Sequence, residues 1–434
     1  MQRWFHKLIQ QGRDRICIHP HTFNDLHHLS KEYRKLLNVK PMERVMVSGH
    51  NSIHLLARIK AIWDLNGIPC MLPNKCTPDT KKHCEQLIHE TDGTPEEALV
   101  VFTTGTSSLQ PKGVRLSHDN LVSHLSMLRE HVPRDLLNET DLTIPILPWY
   151  HCYGLMGECF TMMDRQAQMK TLPSGYSPFV FFQYMQFYEP TVLFVVPKVI
   201  ERILERDRIL RPLLPLTYRR QCWFGPKMRY LVSGGASLDP NLLEECKKHL
   251  AIDIYQGYGC SEMSPMISLQ TSPSPLDSGK ILPGVSVSFS STNEIIVKGR
   301  NRFMGYLGEE ELSPDATYAT GDTGYVKDNL LYVTGRLKNI VKLSNGRFVN
   351  LDLTEEHVKK TIHGIEQICI WEERGSLAGV VYGKKIDKYA VRQMKQVDLW
   401  ILHEPLTVEK GECTLKGEFR RAVIKERYHT PQYS

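Results

Sequence analysis

The 434-residue chain contains no apolar run of about 18 residues, the length that a membrane-crossing helix needs. Its opening stretch, MQRWFHKLIQQGRDR, lacks an apolar centre and a small-residue cleavage site, so no secretory leader is expected. The 11 cysteines stand singly, none in a C-x-x-C pair, and their number is odd. That pattern gives no disulfide framework and reads as reduced thiols, with a cytoplasmic location as the expectation. The histidines in HPHTFNDLHH fit no standard zinc spacing. Blocks of lysine and arginine are also missing: 54 basic against 48 acidic residues leave a scattered net charge of +6, which argues against a nucleic-acid surface. A basic face toward an anionic substrate or a membrane surface stays open. Internal repeats and low-complexity tracts are absent.

What is present is the composition of a globular protein, 41% hydrophobic and 24% charged, in a chain long enough for two or three subdomains. FNDLHHLSKEYRKLLN has helical apolar spacing. RVMVSGHN reads as a buried strand, SIHLLARIKAIWDLNG as a helix stopped at Gly67, and IPCMLP as the next strand. ALVVFTTG, TVLFVVP and MRYLVSGG continue the strand–helix rhythm of α/β units around parallel sheets. From about Pro283 short strands with turn residues between them predict a small β subdomain, and mixed α and β segments follow Arg336.

One stretch raises a chemical question. In VFTTGTSSLQPKGVRLSHDN an apolar strand runs into Thr103, Thr104, Gly105, Thr106, Ser107 and Ser108, and Lys112 follows Pro111. Backbone N–H groups, hydroxyls and an ammonium in one loop can wrap phosphate oxygens, and glycine permits the close approach. The glycine and lysine spacing is not that of the G-x-x-x-x-G-K-S/T loop. A polar surface loop is the plain alternative.

The stretch resembles the ATP-phosphate signature of the adenylate-forming superfamily, which includes acyl-CoA synthetases, luciferases and peptide-synthetase adenylation domains. Further likenesses follow in that family's order: LPWYHCYGL, RYLVSGGASL, YQGYGCSEMSP, NEIIVKGRNRFMGY and YATGDTGYVKDNLLYVTGRLKNIVKLSNGRFV. Within the superfamily the chain looks most like fatty acyl-CoA synthetases. The resemblance implies an α/β fold. A large N-terminal domain (1–337), with parallel sheets flanked by helices and a small β subdomain, would precede a small mobile α+β C-terminal domain (338–434) hinged at Lys338. It implies activation of a carboxylic acid by ATP and Mg²⁺ to an acyl-adenylate, followed by transfer to coenzyme A. A fatty acid is the favoured substrate, and peripheral membrane contact is compatible with it.

The resemblance also assigns roles. Thr103, Thr104, Gly105, Thr106, Ser107, Ser108 and Lys112 would hold the β- and γ-phosphates, and Glu262 would hold Mg²⁺. Tyr258, between Gly257 and Gly259, would stack on adenine, with Ser261 keeping a hydroxyl where threonine is usual. Gly234, Gly235 and Ala236 would leave room for substrate. Asp322 would accept from the ribose hydroxyls, Arg336 would contact ribose or phosphate, His151 would stand near the acyl carboxylate or the thiol path, and Lys342 would serve the thioester-forming pose. Three departures stand out. The loop carries one extra residue and lacks a second glycine. In CTLKGEFRRAVIKERY, aligning Thr414, Gly417 and Arg421 places Glu418 where the family has its adenylating lysine, and Lys416 is the nearest substitute. The chain is also lean before the loop and within the C-terminal domain. An acceptor other than coenzyme A, such as a carrier-protein thiol, and a non-catalytic nucleotide or acyl binder therefore stay open beside the synthetase.

Overall fold

The computed structural model describes residues 1–74, 76–103, 110–173, 177–274, 276–394, 396–407, 409–413 and 419–428. It divides into two compact units, the first formed by Met1–Val287, Val297–Tyr318 and Lys327–Leu331, the second by Ser288–Ile296, Ala319–Val326 and Tyr332–Ser434. The α/β class expected from the sequence is what the chain adopts. None of the described helices is long and apolar enough to cross a membrane.

In the first unit the helix Phe23–Leu36 starts where its sequence says it should. Thr22 accepts from the Asp25 amide at 3.1 Å, and the Asp25 carboxylate accepts from the Thr22 amide at 2.7 Å, so two orphan donors of the first turn are satisfied reciprocally. The strands Arg44–Val47, Ile68–Met71 and Glu97–Thr103 run parallel; Lys112–Ser117 joins antiparallel, and the two-residue strand Gly305–Tyr306 completes this five-stranded sheet. Helix Ile53–Asp64 is buried along most of its length, and the Trp63 indole donates to the Ala98 carbonyl at 2.6 Å. At the base of the sheet a buried Glu97 receives both arms of Arg44, at 2.8 and 2.9 Å, and Arg115 at 3.0 Å, which ties three strands together. A second parallel set, Val192–Val195, Tyr230–Ser233 and Asp253–Tyr258, is extended antiparallel by Ser268–Leu269 and Lys280–Ile281. Phe181, Leu193, Ile203, Phe224 and Leu231 belong to the core of that half.

In the second unit Gln367–Glu373 and Ser376–Tyr382 form a hairpin, and Asp398–Ile401 adds in parallel. The turn places Arg374 and Gly375 at φ of +50° and +80°, the left-handed pair that suits the twist of a two-residue hairpin loop. Successive residues of the first strand feed opposite cores. Ile368 and Ile370 pack with helix Leu351–Thr361, whereas Cys369 and Trp371 pack with Ile424 of helix Arg421–Tyr428. The short strands read at GYVKD and LLYVTG are parts of longer ones, Tyr318–Lys327 and Leu330–Arg336, with Asp328 and Asn329 both at positive φ between them.

Candidate active site

The hydroxyl-rich loop lies between two antiparallel strands. Thr103, half-buried at the end of its strand, pairs with Lys112 at the start of the next. Thr104, Gly105, Thr106, Ser107 and Ser108 lie outside the described residues. The described residues on either side of the loop are thus a paired rung of sheet, and the chain resumes in the strand Lys112–Ser117. Lys112 is exposed. Its ammonium stands 3.4 Å from a Glu309 oxygen and 4.4 Å from the centre of the Tyr306 ring. Gly113 must be small, because a Cβ there would come within 2.5 Å of Leu307.

Glu262 sits on a single tight turn, Ser261–Met263, just beyond the strand that carries Gly257 and Tyr258. Gly259 lets the chain fold back on itself, since a Cβ at that position would lie 2.0 Å from the Pro265 carbonyl. The segment from Asn301 to Tyr306 stitches this turn in place. Asn301 donates its amide to the Met263 and Met266 carbonyls, each at 2.9 Å, and its own carbonyl accepts from Ser264 at 2.8 Å. The Phe303 amide donates to the Glu262 carbonyl at 2.8 Å. The Tyr306 hydroxyl donates to Glu262 Oε1 at 2.8 Å and lies 3.3 Å from the Tyr318 hydroxyl. Burial and the neighbouring Glu262 charge push both phenols above their ordinary range, so they stay protonated donors. Lys112 and Glu262, expected as phosphate cation and metal carboxylate, are thus joined through one tyrosine. The sequence reading missed Tyr306 and Tyr318. Both stand in stretches already quoted for their likeness, Tyr306 at the end of FMGY and Tyr318 at the start of YATGD.

His151 is half-buried beside Tyr150, with ring centres 4.4 Å apart, and leads into a wide π-helical segment, Tyr153–Phe160. The Tyr153 hydroxyl donates to the Val232 carbonyl at 2.9 Å. Its ring closes over the turn after strand Tyr230–Ser233, so that a Cβ at Gly234 would meet the ring at 3.1 Å; Gly235 needs its freedom at φ +80°. Gly157, Thr161, Phe194, Val232, Met266 and Leu269 help line a narrow, almost wholly apolar cavity of about 40 Å³ nearby. Glu158, itself part of the π-helical segment, is fully buried. Thr143 donates to one of its oxygens at 3.3 Å, the other has no partner among the described residues, and burial pushes the carboxyl well above its usual range.

In the second unit Asp322 and Arg336 come together as an ion pair at 2.8 Å. Thr320 and Gly321 shape the approach: the Asp322 amide donates to the Thr320 hydroxyl at 3.1 Å, and Gly321 takes φ +74°. The Arg336 amide and the Asn339 side chain both donate to Asp352, whose carboxylate also receives Arg421 at 2.6 Å. Arg421 further bonds Glu355 and the Ile370 carbonyl, so the turn that carries exposed Lys338 is fastened to the second unit's own core. Lys342 is exposed on strand Ile340–Lys342, 5.8 Å from the Phe348 ring centre. Lys416 and Glu418 lie outside the described residues.

A sequence model of AMP-binding enzymes matches residues 85–307, from before the hydroxyl-rich loop to just past Tyr306. The chain belongs to the AMP-binding enzyme family. Among curated relatives it is 28% identical over 274 residues to probable 4-coumarate–CoA ligase 3 of Dictyostelium discoideum, covering 58% of this chain and 47% of that one. It is 26% identical over 302 residues to long-chain-fatty-acid–CoA ligase 1 of Cavia porcellus, covering 58% and 43%. The chain spans about half the length of the curated relatives it matches. The fold is also shared with solved structures. ATP-bound MatB of Rhodopseudomonas palustris superposes with a TM-score of 0.79 at 20% identity over 100% of both chains. O-succinylbenzoate coenzyme A synthetase (MenE) of Bacillus subtilis, in complex with ATP and magnesium ion, gives 0.75 at 18% identity over 97% and 99%. Among the described residues no group of three or more His, Cys, Asp or Glu could hold a metal ion by itself, so Glu262 would meet a magnesium ion as a single carboxylate beside nucleotide phosphates. The hard cation takes one or two carboxylates, fills its remaining positions with phosphate oxygens and water, and needs no cage of protein ligands.

Proposed function

We propose that the chain joins a carboxylic acid to a thiol at the expense of ATP. In the first step a carboxylate oxygen attacks the α-phosphorus, the bond to pyrophosphate breaks, and an acyl-adenylate forms. In the second a thiol sulfur, coenzyme A in the favoured reading, attacks the acyl carbon, AMP leaves, and the thiol proton passes to solvent or a base. Lys112 and the loop hydroxyls would carry the β- and γ-phosphates, and Glu262 a Mg²⁺ ion that neutralises charge as pyrophosphate departs. Tyr258 would face adenine, Asp322 and Arg336 the ribose and its phosphate, His151 the acyl carboxylate, and Lys338 would mark the hinge for a pose in which Lys342 serves the thioester step. The observation that carries this reading is the joining of Lys112 and Glu262 through Tyr306 at the base of the hydroxyl-rich loop.

The apolar cavity lined in part by Gly157, Phe194 and Val232 favours an apolar acid. At about 40 Å³ it is far smaller than the several hundred Å³ of a typical ligand pocket, so a fatty chain would enter only as its side chains yield. A second reading, nucleotide or acyl binding without adenylation, is favoured by Glu418 at the position where the family likeness expects a lysine. ATP–pyrophosphate exchange with acids from acetate to oleate, and with benzoate-type acids, separates the two. Exchange with one chain-length class is expected, and coenzyme A or a phosphopantetheine carrier then identifies the acceptor. ATP binding without exchange for any acid would establish the second reading instead.

A further inference from the structure

We propose that Tyr306, backed by Tyr318, is the positioning residue of the divalent-cation site: it holds Glu262 by one oxygen, turns the other toward a nucleotide-bound cation, and carries the Lys112 ammonium on its ring. The inference rests on the adenylation reading and states how that site is built. Among the described residues, Tyr306 is the side chain that hydrogen-bonds the Glu262 carboxylate. A phenol that donates to Glu262 accepts at its own oxygen, so the Tyr318 hydroxyl, 3.3 Å away, donates to Tyr306. The chain of donors Tyr318 to Tyr306 to Glu262 is polarised in one direction, each bond strengthening the next.

Both rings are braced. Phe303 packs edge-on against Tyr306 and Tyr318 with ring centres 4.9 and 5.3 Å apart, and its amide holds the Glu262 carbonyl. Tyr306 also pairs with Val114 in the strand that begins at Lys112. The carboxylate's orientation and the place of the lysine are therefore set by one side chain. A lone carboxylate ligand has a free rotor unless something fixes it, and loss of such an orienting partner typically weakens metal affinity 10- to 100-fold.

The test compares ATP affinity in EDTA with affinity in Mn²⁺, using the full chain. In the unmodified protein Mn²⁺ should tighten ATP binding. In Tyr306→Phe, which keeps the ring under Lys112, that tightening should fall by about 10-fold or more, while metal-free ATP affinity stays unchanged and the melting temperature falls by no more than the loss of one partly buried hydrogen bond. Tyr318→Phe should give a smaller loss of the same kind. In a Glu262→Gln background, where the tightening is already gone, Tyr306→Phe should add nothing. If the unmodified protein shows the tightening and Tyr306→Phe retains it in full, the positioning role is wrong and the adenylation reading stands. If the unmodified protein binds ATP equally with and without Mn²⁺, Glu262 is not a cation ligand and both fall.

Discussion

Two glutamates of the first unit are held in opposite ways. Glu97, buried at the base of the five-stranded sheet, is gripped by the guanidinium groups of Arg44 and Arg115. Glu262, half-buried on its turn, is held by a neutral phenol. An arginine partner cancels the carboxylate's charge, and the product is structural: three strands tied together. A phenol fixes the geometry and leaves the charge for something else. The difference separates a carboxylate that serves the fold from one that can serve a cation. The Asp352–Glu355–Arg421 cluster of the second unit belongs with Glu97. Glu158 belongs with neither, since among the described residues its partner is a threonine hydroxyl and burial favours its neutral form.

The largest effect that would break this comparison is expected at Glu97. Glu97→Ala strands two buried guanidinium groups and should cost about 3–5 kcal/mol of unfolding free energy in urea; a loss under about 1 kcal/mol would show that the arginines find other partners. Glu262→Gln should leave stability within about 0.5 kcal/mol but lower pyrophosphate exchange by roughly 10²-fold or more, the reverse of Glu97. Glu158 sharpens the contrast through pH. The folded protein keeps its carboxyl protonated well above the usual range, whereas the unfolded chain releases that proton near pH 4.3. The residue therefore destabilises the fold progressively as pH rises above about 4. Glu158→Gln removes this pH-dependent cost, so melting curves at pH 4 and pH 7 should show the variant faring better against the unmodified protein at pH 7 than at pH 4. A gain that is constant with pH would mean that the carboxyl is already ionised when folded. The smallest effect is at the exposed Glu309–Lys112 pair. Glu309→Gln should change stability by less than about 1 kcal/mol and tighten ATP binding up to about 5-fold by releasing Lys112, which isothermal titration would register.

Much of this was readable in the chain. The start of Phe23–Leu36 is written in Thr22 and Asp25, and the parallel strands in their apolar runs. Lys112 and Glu262 were legible because each stands within a compact motif. Tyr306 was not, because its meaning comes from a contact 44 residues away in sequence, and a tyrosine on a two-residue strand carries no periodicity. Arg421 served the sequence reading only as an alignment marker, and its bonds to Asp352, Glu355 and Ile370 appear once distant segments meet. The π-helical segment after His151 was hidden for another reason: Gly154 to Phe160 are all buried, the charged Glu158 among them, so no polar face stands against an apolar stripe from which to infer a helix.

The strand Gly305–Tyr306 has one more consequence, for solubility. It is the outermost member of its sheet, two residues long, and it covers the open edge of Lys112–Ser117. A bare sheet edge is a template on which other chains pair and aggregate, and a very short covering strand is one way that proteins blunt it. The residues of the proposed cation site are thus also the ones that keep this edge from recruiting neighbours. Damage that lifts this strand should register as self-association as well as lost nucleotide binding.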